Sequence, residues 1–109
     1  MAATVQAAVG VSGQPYLVTK VRVSTIDAGV PLDVAHGGPS GVKPNLVLME
    51  VVTRADSRDV ISLAHEVADD NTTNNTARVI PDTVAGGNLT GAVLDLYFVF
   101  FAQATGGIT

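Results

Sequence analysis

"TGAVLDLYFVFFAQATGGIT", residues 90–109, is the stretch that decides the fold. It contains all three Phe of the chain and one of its two Tyr. Its residues alternate between two sets, as side chains do on the two faces of a strand, and we predict a strand over residues 91–103. The first set is apolar throughout and forms a predicted core face: Ala92, Leu94, Leu96, Phe98, Phe100 and Ala102. The second set is Val93, Asp95, Tyr97, Val99, Phe101 and Gln103.

The second face of this strand is the candidate functional surface. It carries Val93, Tyr97, Val99 and Phe101, although a strand at the surface of a domain needs only one apolar face. Left uncovered, such a patch is an aggregation liability. We therefore predict that these four residues lie at an interface, either with a second layer of the same chain or with another subunit. Tyr suits a subunit interface because it has an apolar body and a polar tip.

The composition favours the subunit alternative. Only 15% of the residues are charged, against about 25% in typical domains, so little charge is available to cover a free surface. The net charge is −4, and the six Lys and Arg are scattered along the chain. Because no basic cluster exists to neutralise phosphates, we do not expect nucleic-acid binding.

Membrane insertion and export are not expected either. The longest nearly apolar run, Ala92 to Ala102, is much shorter than the roughly 20 residues of a membrane-spanning helix. The N-terminus lacks the basic start of a signal peptide. The chain has no Cys, which weakly favours assembly in a reducing cytoplasm.

Residue usage predicts an all-β domain. The chain has 18 Val and 11 Thr, both strand-favouring, with 11 Gly and 5 Pro between apolar segments. Residues 16–25 alternate cleanly, with Leu17, Thr19, Val21 and Val23 on one face. About six to eight short strands argue for an antiparallel β-sandwich of jelly-roll or immunoglobulin-like type. We place this single domain at residues 14–109, after an N-terminal arm, residues 1–13, that is flexible, partner-bound or an edge strand.

Several segments receive individual predictions. Residues 27–45 form a loop with a short extended piece near Leu32–Val34, and residues 46–52 form a central strand because both faces are apolar. Residues 56–68 fit either a helix or a strand. We favour the strand, since the polar turn 69–75 then joins it to residues 76–80 as a hairpin. Residues 81–88 are predicted to be a loop.

The residue types that commonly take part in catalysis do not form a recognisable active-site pattern in this sequence. Cys is absent, and the two His, His36 and His65, lie in a Gly-rich loop and beside Glu66 without the partners of a catalytic triad or a third metal ligand. Glu50 and Asp95 are the acidic residues inside predicted strands. As cross-strand neighbours they would repel, so we expect each to lie on a wet or partner-facing patch or to pair with Lys or Arg. We predict no catalytic residue, no metal and no cofactor.

Three segments resemble small tailed-bacteriophage virion proteins of the capsid decoration, or cement, type. They are "VAHGGPSGVKPNLVLMEVV" (residues 34–52), "NTTNNT" (71–76) and "LTGAV" before the closing strand (89–93), and the resemblance covers about residues 30–100. The matching positions are His36, Gly37, Pro44, Asn45, Leu46, Val47 and Leu48.

This resemblance implies a non-enzymatic structural protein. Proteins of this type are compact β domains that trimerise and clamp capsomers, so the expected partners are further copies of the chain and the major capsid protein. The expected location is the capsid surface of a virion assembled in the host cytoplasm. The alternative is a carbohydrate- or receptor-binding β-sandwich of a virion tail or fibre. The absence of Trp and the presence of only two Tyr count against that alternative.

Overall fold

The computed structural model describes residues 3–6, 9–13 and 16–101, which form an antiparallel β-sandwich. The strands are β1 (Thr4–Val5), β2 (Val9–Gly13), β3 (Tyr16–Ser24), β4 (Leu32–Ala35), β5 (Leu46–Thr53), β6 (Ile61–His65), β7 (Thr76–Thr83) and β8 (Val93–Phe101). One 3-10 helix, Val67–Asp69, is the only helix among the described residues. No helix in this part of the chain is long and apolar enough to cross a membrane.

The strands form two sheets. In sheet A, β1 and β2 both pair with β3, which is followed by β8 and then β5. In sheet B, the order is β4-β7-β6. All these pairings are antiparallel. The chain crosses between the sheets after β3, β4, β5 and β7, and the all-β sandwich predicted from the sequence is confirmed.

The core is built on the predicted face of β8. Leu94, Leu96 and Phe98 are completely buried and Phe100 is 1% exposed, so the alternation predicted for this strand is confirmed. Side chains of sheet B complete the cluster, among them Val34, Ala77 and Val79. Ala102 and Gln103, the last residues of the predicted strand, lie outside the described residues.

Strand β3 also follows its prediction. Val21 and Val23 are completely buried and Thr19 is 1% exposed, while Lys20 and Arg22 lie on the opposite face. The described parts of residues 1–13 lie along β3 as the edge strands β1 and β2, with a register shift of one residue between them.

The ambiguous segment 56–68 contains the strand β6 and, at its end, the first residues of the 3-10 helix. β6 pairs with β7, with Ile61, Leu63 and His65 on the inner face, which confirms the predicted hairpin. A local side chain stabilises its turn. Asn71 Oδ1 accepts hydrogen bonds from the backbone N–H groups of Thr73 and Asn74 at 2.9 and 3.0 Å.

The prediction of a central strand at residues 46–52 is wrong. Among the described residues, β5 pairs with β8 alone and ends sheet A, so it is an edge strand. Apolar residues on both faces are typical of a strand covered on both sides, but here Leu46, Leu48 and Val52 are 45%, 53% and 43% exposed.

The prediction that the loop begins at residue 81 is also wrong, because β7 continues to Thr83. Pro81 lies in the central strand of sheet B, a position that normally rejects proline because its nitrogen cannot donate to the ladder. The Pro81 carbonyl accepts a hydrogen bond from the N–H of Gly29, which precedes the start of β4. The nitrogen of a strand residue points to the same side as its carbonyl, so the Pro81 nitrogen faces a position past the last pair of the ladder, Leu32–Val79, where no ladder hydrogen bond is lost.

Candidate functional site

The candidate site is the face of sheet A that points away from sheet B, together with strand β5 at its edge. We refer to this surface as the outer face. Its side chains come from β3, β8 and β5: Val18, Lys20, Arg22, Val93, Asp95, Tyr97, Val99, Phe101, Leu46, Leu48 and Glu50. The four interface residues predicted from the sequence therefore share one face, because they occupy alternate positions of a single regular strand.

One row across the outer face consists of charged residues. The register aligns Arg22 of β3, Asp95 of β8 and Glu50 of β5. Arg22 donates to both Asp95 carboxylate oxygens, at 2.8 Å from Nε and 3.1 Å from Nη2, and Lys20 Nζ lies 3.8 Å from the same carboxylate. These cations resolve the repulsion that the sequence predicts between Asp95 and Glu50.

Asp95 is unusual because it is charged and only 2% exposed at the centre of the sheet. The hydrogen bonds from Arg22 are the main cause that lowers the pKa of Asp95, with further contributions from the charges of Arg22 and Lys20, while desolvation opposes them. Asp95 is therefore an ionised group that orients Arg22 across the outer face.

Tyr97 connects this charged row to the next row. Its hydroxyl donates to Glu50 Oε1 at 3.1 Å, and this hydrogen bond is the main cause that raises the pKa of Tyr97. In register, Tyr97 lies between Lys20 and Leu48. The ring is therefore held in place on the outer face, half-buried between a cation and an aliphatic side chain.

The remaining part of the outer face is apolar. Val99 is 8% exposed and lies in register between Val18 and Leu46, whereas Phe101 and Leu48 are 52% and 53% exposed. Leu46, at 45%, is exposed to a similar degree as Leu48. The sequence-based search missed Leu46 and Leu48, because their strand was predicted to be central.

The corresponding surface of sheet B is different. Its outward positions include an exposed ion pair in which Arg78 donates to both oxygens of Asp33, at 2.9 and 3.1 Å. Ser62, Ala64 and Asp82 also point outward there and are exposed. Ile80, which is half-buried, is the one large apolar residue at the outward positions of β4, β6 and β7, whereas the outer face of sheet A carries several.

Both histidines have structural partners. His36 is 1% exposed, its Nδ1 accepts a hydrogen bond from the Gly38 N–H at 2.9 Å, and its ring lies 4.9 Å from the Phe100 ring. His65 Nε2 lies 2.8 Å from the Asp70 carboxylate, which also accepts the Arg78 N–H at 2.9 Å. The sequence predicted His36 to be a turn residue and did not reveal its burial.

In the part of the chain that the structure describes, no three His, Asp or Glu side chains are grouped to hold a metal ion.

We expect the buried His36 to make the fold less stable as the pH falls. Burial is the main cause that lowers the pKa of His36 below its ordinary value of 6.5, and the negative charge of Asp70 opposes it. Above that value both the folded and the unfolded chain hold neutral His36. Below it the unfolded chain binds a proton that the fold resists, so the free energy of unfolding should fall by up to about 1.4 kcal/mol per pH unit until the folded pKa is passed.

Urea unfolding between pH 7 and about 5 measures this slope, since most carboxylates titrate below that window. The His36→Asn variant keeps an acceptor atom at the place of Nδ1 but cannot titrate, so it should be less stable yet show a shallower slope. A His36→Asn protein with an undiminished slope would contradict the prediction.

A scan of protein-family models and searches of curated proteins and of solved structures find no match to this chain. The resemblance to capsid decoration proteins, and the choice between jelly-roll and immunoglobulin-like topology, therefore stay predictions.

Proposed function

We propose that this chain is a non-enzymatic structural protein of a bacteriophage virion, a capsid decoration protein that binds the major capsid protein and stabilises the head. The observation that carries the proposal is the outer face, which leaves Leu46, Leu48 and Phe101 about half exposed. Large apolar side chains concentrated on one surface are typical of protein interfaces. The sequence resemblance supplies the choice of a phage shell as the partner.

In this proposal the protein acts as a homotrimer on the capsid surface. The outer face supplies its contacts, through the side chains of Tyr97, Val99 and Phe101 and the Arg22–Asp95 pair beside them. A shell offers many identical sites, and a trimer engages several of them together. Each individual contact can therefore be weak while the assembly is held firmly.

A specific feature of the outer face also favours the second candidate, a carbohydrate- or receptor-binding module. Sugar sites often use a tyrosine ring surrounded by charged groups, and Tyr97 lies beside Lys20 and Glu50. Tyr97 is the one tyrosine ring among the described side chains of this face, and much of the face around it is apolar. We therefore place this function second.

The test of the proposed function is the thermal stability of capsids of the same virus that lack the protein. Addition of the purified protein should raise the capsid melting temperature in a saturable way, because a ligand that binds only the assembled shell stabilises it. Light scattering of the free protein at micromolar concentration should report a trimer.

Two variants locate the effect on the outer face. Phe101→Lys should lose both the trimer and the capsid stabilisation, since it places a charge in the apolar part of the outer face. Val84→Lys changes a side chain that is 70% exposed in another part of the molecule, and it should behave like the unchanged protein. An unchanged capsid melting temperature with the unmodified protein would reject the decoration function and leave the receptor-binding module as the better proposal.

A further inference from the structure

Strand β5 is less protected against the addition of a further strand than the other described edges of the two sheets. In the described part of the chain, the edges of sheet B are β4 and β6, with four and five residues, and the opposite edge of sheet A is divided into β1 and β2 with a register shift between them. β5 has eight residues, contains no Lys, Arg or Pro, and pairs regularly with β8 from Leu46 to Val51, with a register shift only before its last residue, Thr53. Short strands, interruptions and lysines are the usual means by which proteins prevent strand addition.

Both faces of β5 are open at this edge. Leu46, Leu48 and Val52 are about half exposed, and Val51 on the inner side is 38% exposed. A strand placed beside β5 would therefore gain backbone hydrogen bonds along the edge and apolar contacts on both faces. This combination is the physical basis of peptide recognition by strand addition.

The charged row of the outer face indicates the sequence of the added strand. Across the sheet the row runs Arg22, Asp95, Glu50. The ion pair of Arg22 with Asp95 is therefore followed by a second carboxylate at the edge of the sheet. Glu50 accepts the Tyr97 hydroxyl, and no described Lys, Arg or His forms a salt bridge with it. The next position in the row lies on the added strand, and a cation there would face Glu50 and balance the second of the two adjacent carboxylates in the row.

We propose that the β5 edge binds an extended polypeptide segment of a partner protein, with a Lys or Arg opposite Glu50 and apolar residues opposite Leu46 and Leu48. The inference deepens the proposed function, because the shell protein is the partner from which such a segment would come. A second copy of β5 is a poorer occupant. A twofold axis normal to the sheet preserves its faces, so Glu50 would meet Glu50, Leu48, Leu46 or Thr53 of the copied strand, none of which is a cation.

Titration with synthetic peptides, followed by NMR of the backbone amides, tests the inference on the free protein. The probes are a short soluble peptide with Val two residues on either side of a central Lys, its counterpart with a central Glu, and a peptide that copies residues 46–53. The Lys peptide should shift the β5 amides in a saturable way. It should bind about two- to five-fold more tightly than the Glu peptide, the range of one exposed ion pair, and high salt should reduce this preference.

The chain provides a matched pair of variants, since it has only two Glu. Glu50→Lys should reverse the preference between the Lys and Glu peptides, while Glu66→Lys makes the same charge change away from the β5 edge and should retain it. Absence of saturable shifts in β5, equal binding of the Lys and Glu peptides, or tighter binding of the β5 copy would each overturn the inference. Peptide binding without capsid stabilisation would reject the decoration function alone, and the converse result would reject the strand-addition inference alone.

Discussion

Replacement of Phe98 by alanine is expected to lower the free energy of unfolding by about 3–5 kcal/mol. Phe98 is completely buried in the inner face of β8, where it packs with the core cluster and lies 6.1 Å, between ring centroids, from His36. Loss of the ring removes its transfer energy and leaves a cavity that the two sheets can fill only in part. A domain of this size has a total stability of about 5–15 kcal/mol, so the variant should be close to unfolding at physiological temperature.

The same strand supplies the control for this prediction. Phe101→Ala removes an identical side chain that is 52% exposed on the outer face, and we expect a loss of about 1 kcal/mol or less. Urea unfolding of both variants, at a protein concentration low enough for the chain to be monomeric, measures the difference. Similar losses would mean that the two faces of β8 do not have the environments described here.

The parts of the fold that followed from the sequence are those with strong two-residue alternation. In β8 and β3 an apolar face alternates with a mixed face, and a shift of one residue would expose the whole apolar set, so the register is strongly determined. The hairpin of β6 and β7 was also predictable, because its turn is rich in Asn and Asp.

The position of β5 did not follow from the sequence. Residue pattern reports how much apolar surface a strand has, but the order of strands in a sheet depends on pairings between distant segments. Leu46–Val51 has the pattern of a strand covered on both sides, and the structure places it at an edge. The mismatch between pattern and position is itself the reason to regard β5 as a binding surface.

The candidate site was predicted in part. Alternation alone placed Val93, Tyr97, Val99 and Phe101 on one face, whereas the partners of that face depend on register. Which cation pairs with Asp95 was therefore not predictable, although pairing with Lys or Arg was one of the expected alternatives. The burial of His36 could not be predicted either, because it depends on a contact between distant segments. The loop that contains His36 packs against Phe100, which lies far away in the sequence.

Gly38 is the point of closest approach in that loop, and Gly38→Ala is expected to cost about 2–3 kcal/mol. A Cβ atom at Gly38 would lie 2.3 Å from two carbons of the Phe100 ring. The ring cannot retreat freely, because the His36 ring packs against it at 4.9 Å. The added methyl group should therefore displace the loop or the ring, and disturb the hydrogen bond from the Gly38 N–H to His36 Nδ1.

Two comparisons separate this overlap from a general effect of replacing glycine. Gly41→Ala, in the same loop, meets open space but has a φ of +76°, so it should cost only about 1 kcal/mol through its left-handed backbone. In the background of Phe100→Leu, which shortens the facing side chain, Gly38→Ala should cost less than about 1 kcal/mol, and the two substitutions should be non-additive. Additive losses in this double-mutant cycle would show that Gly38 is required for a reason other than its contact with Phe100.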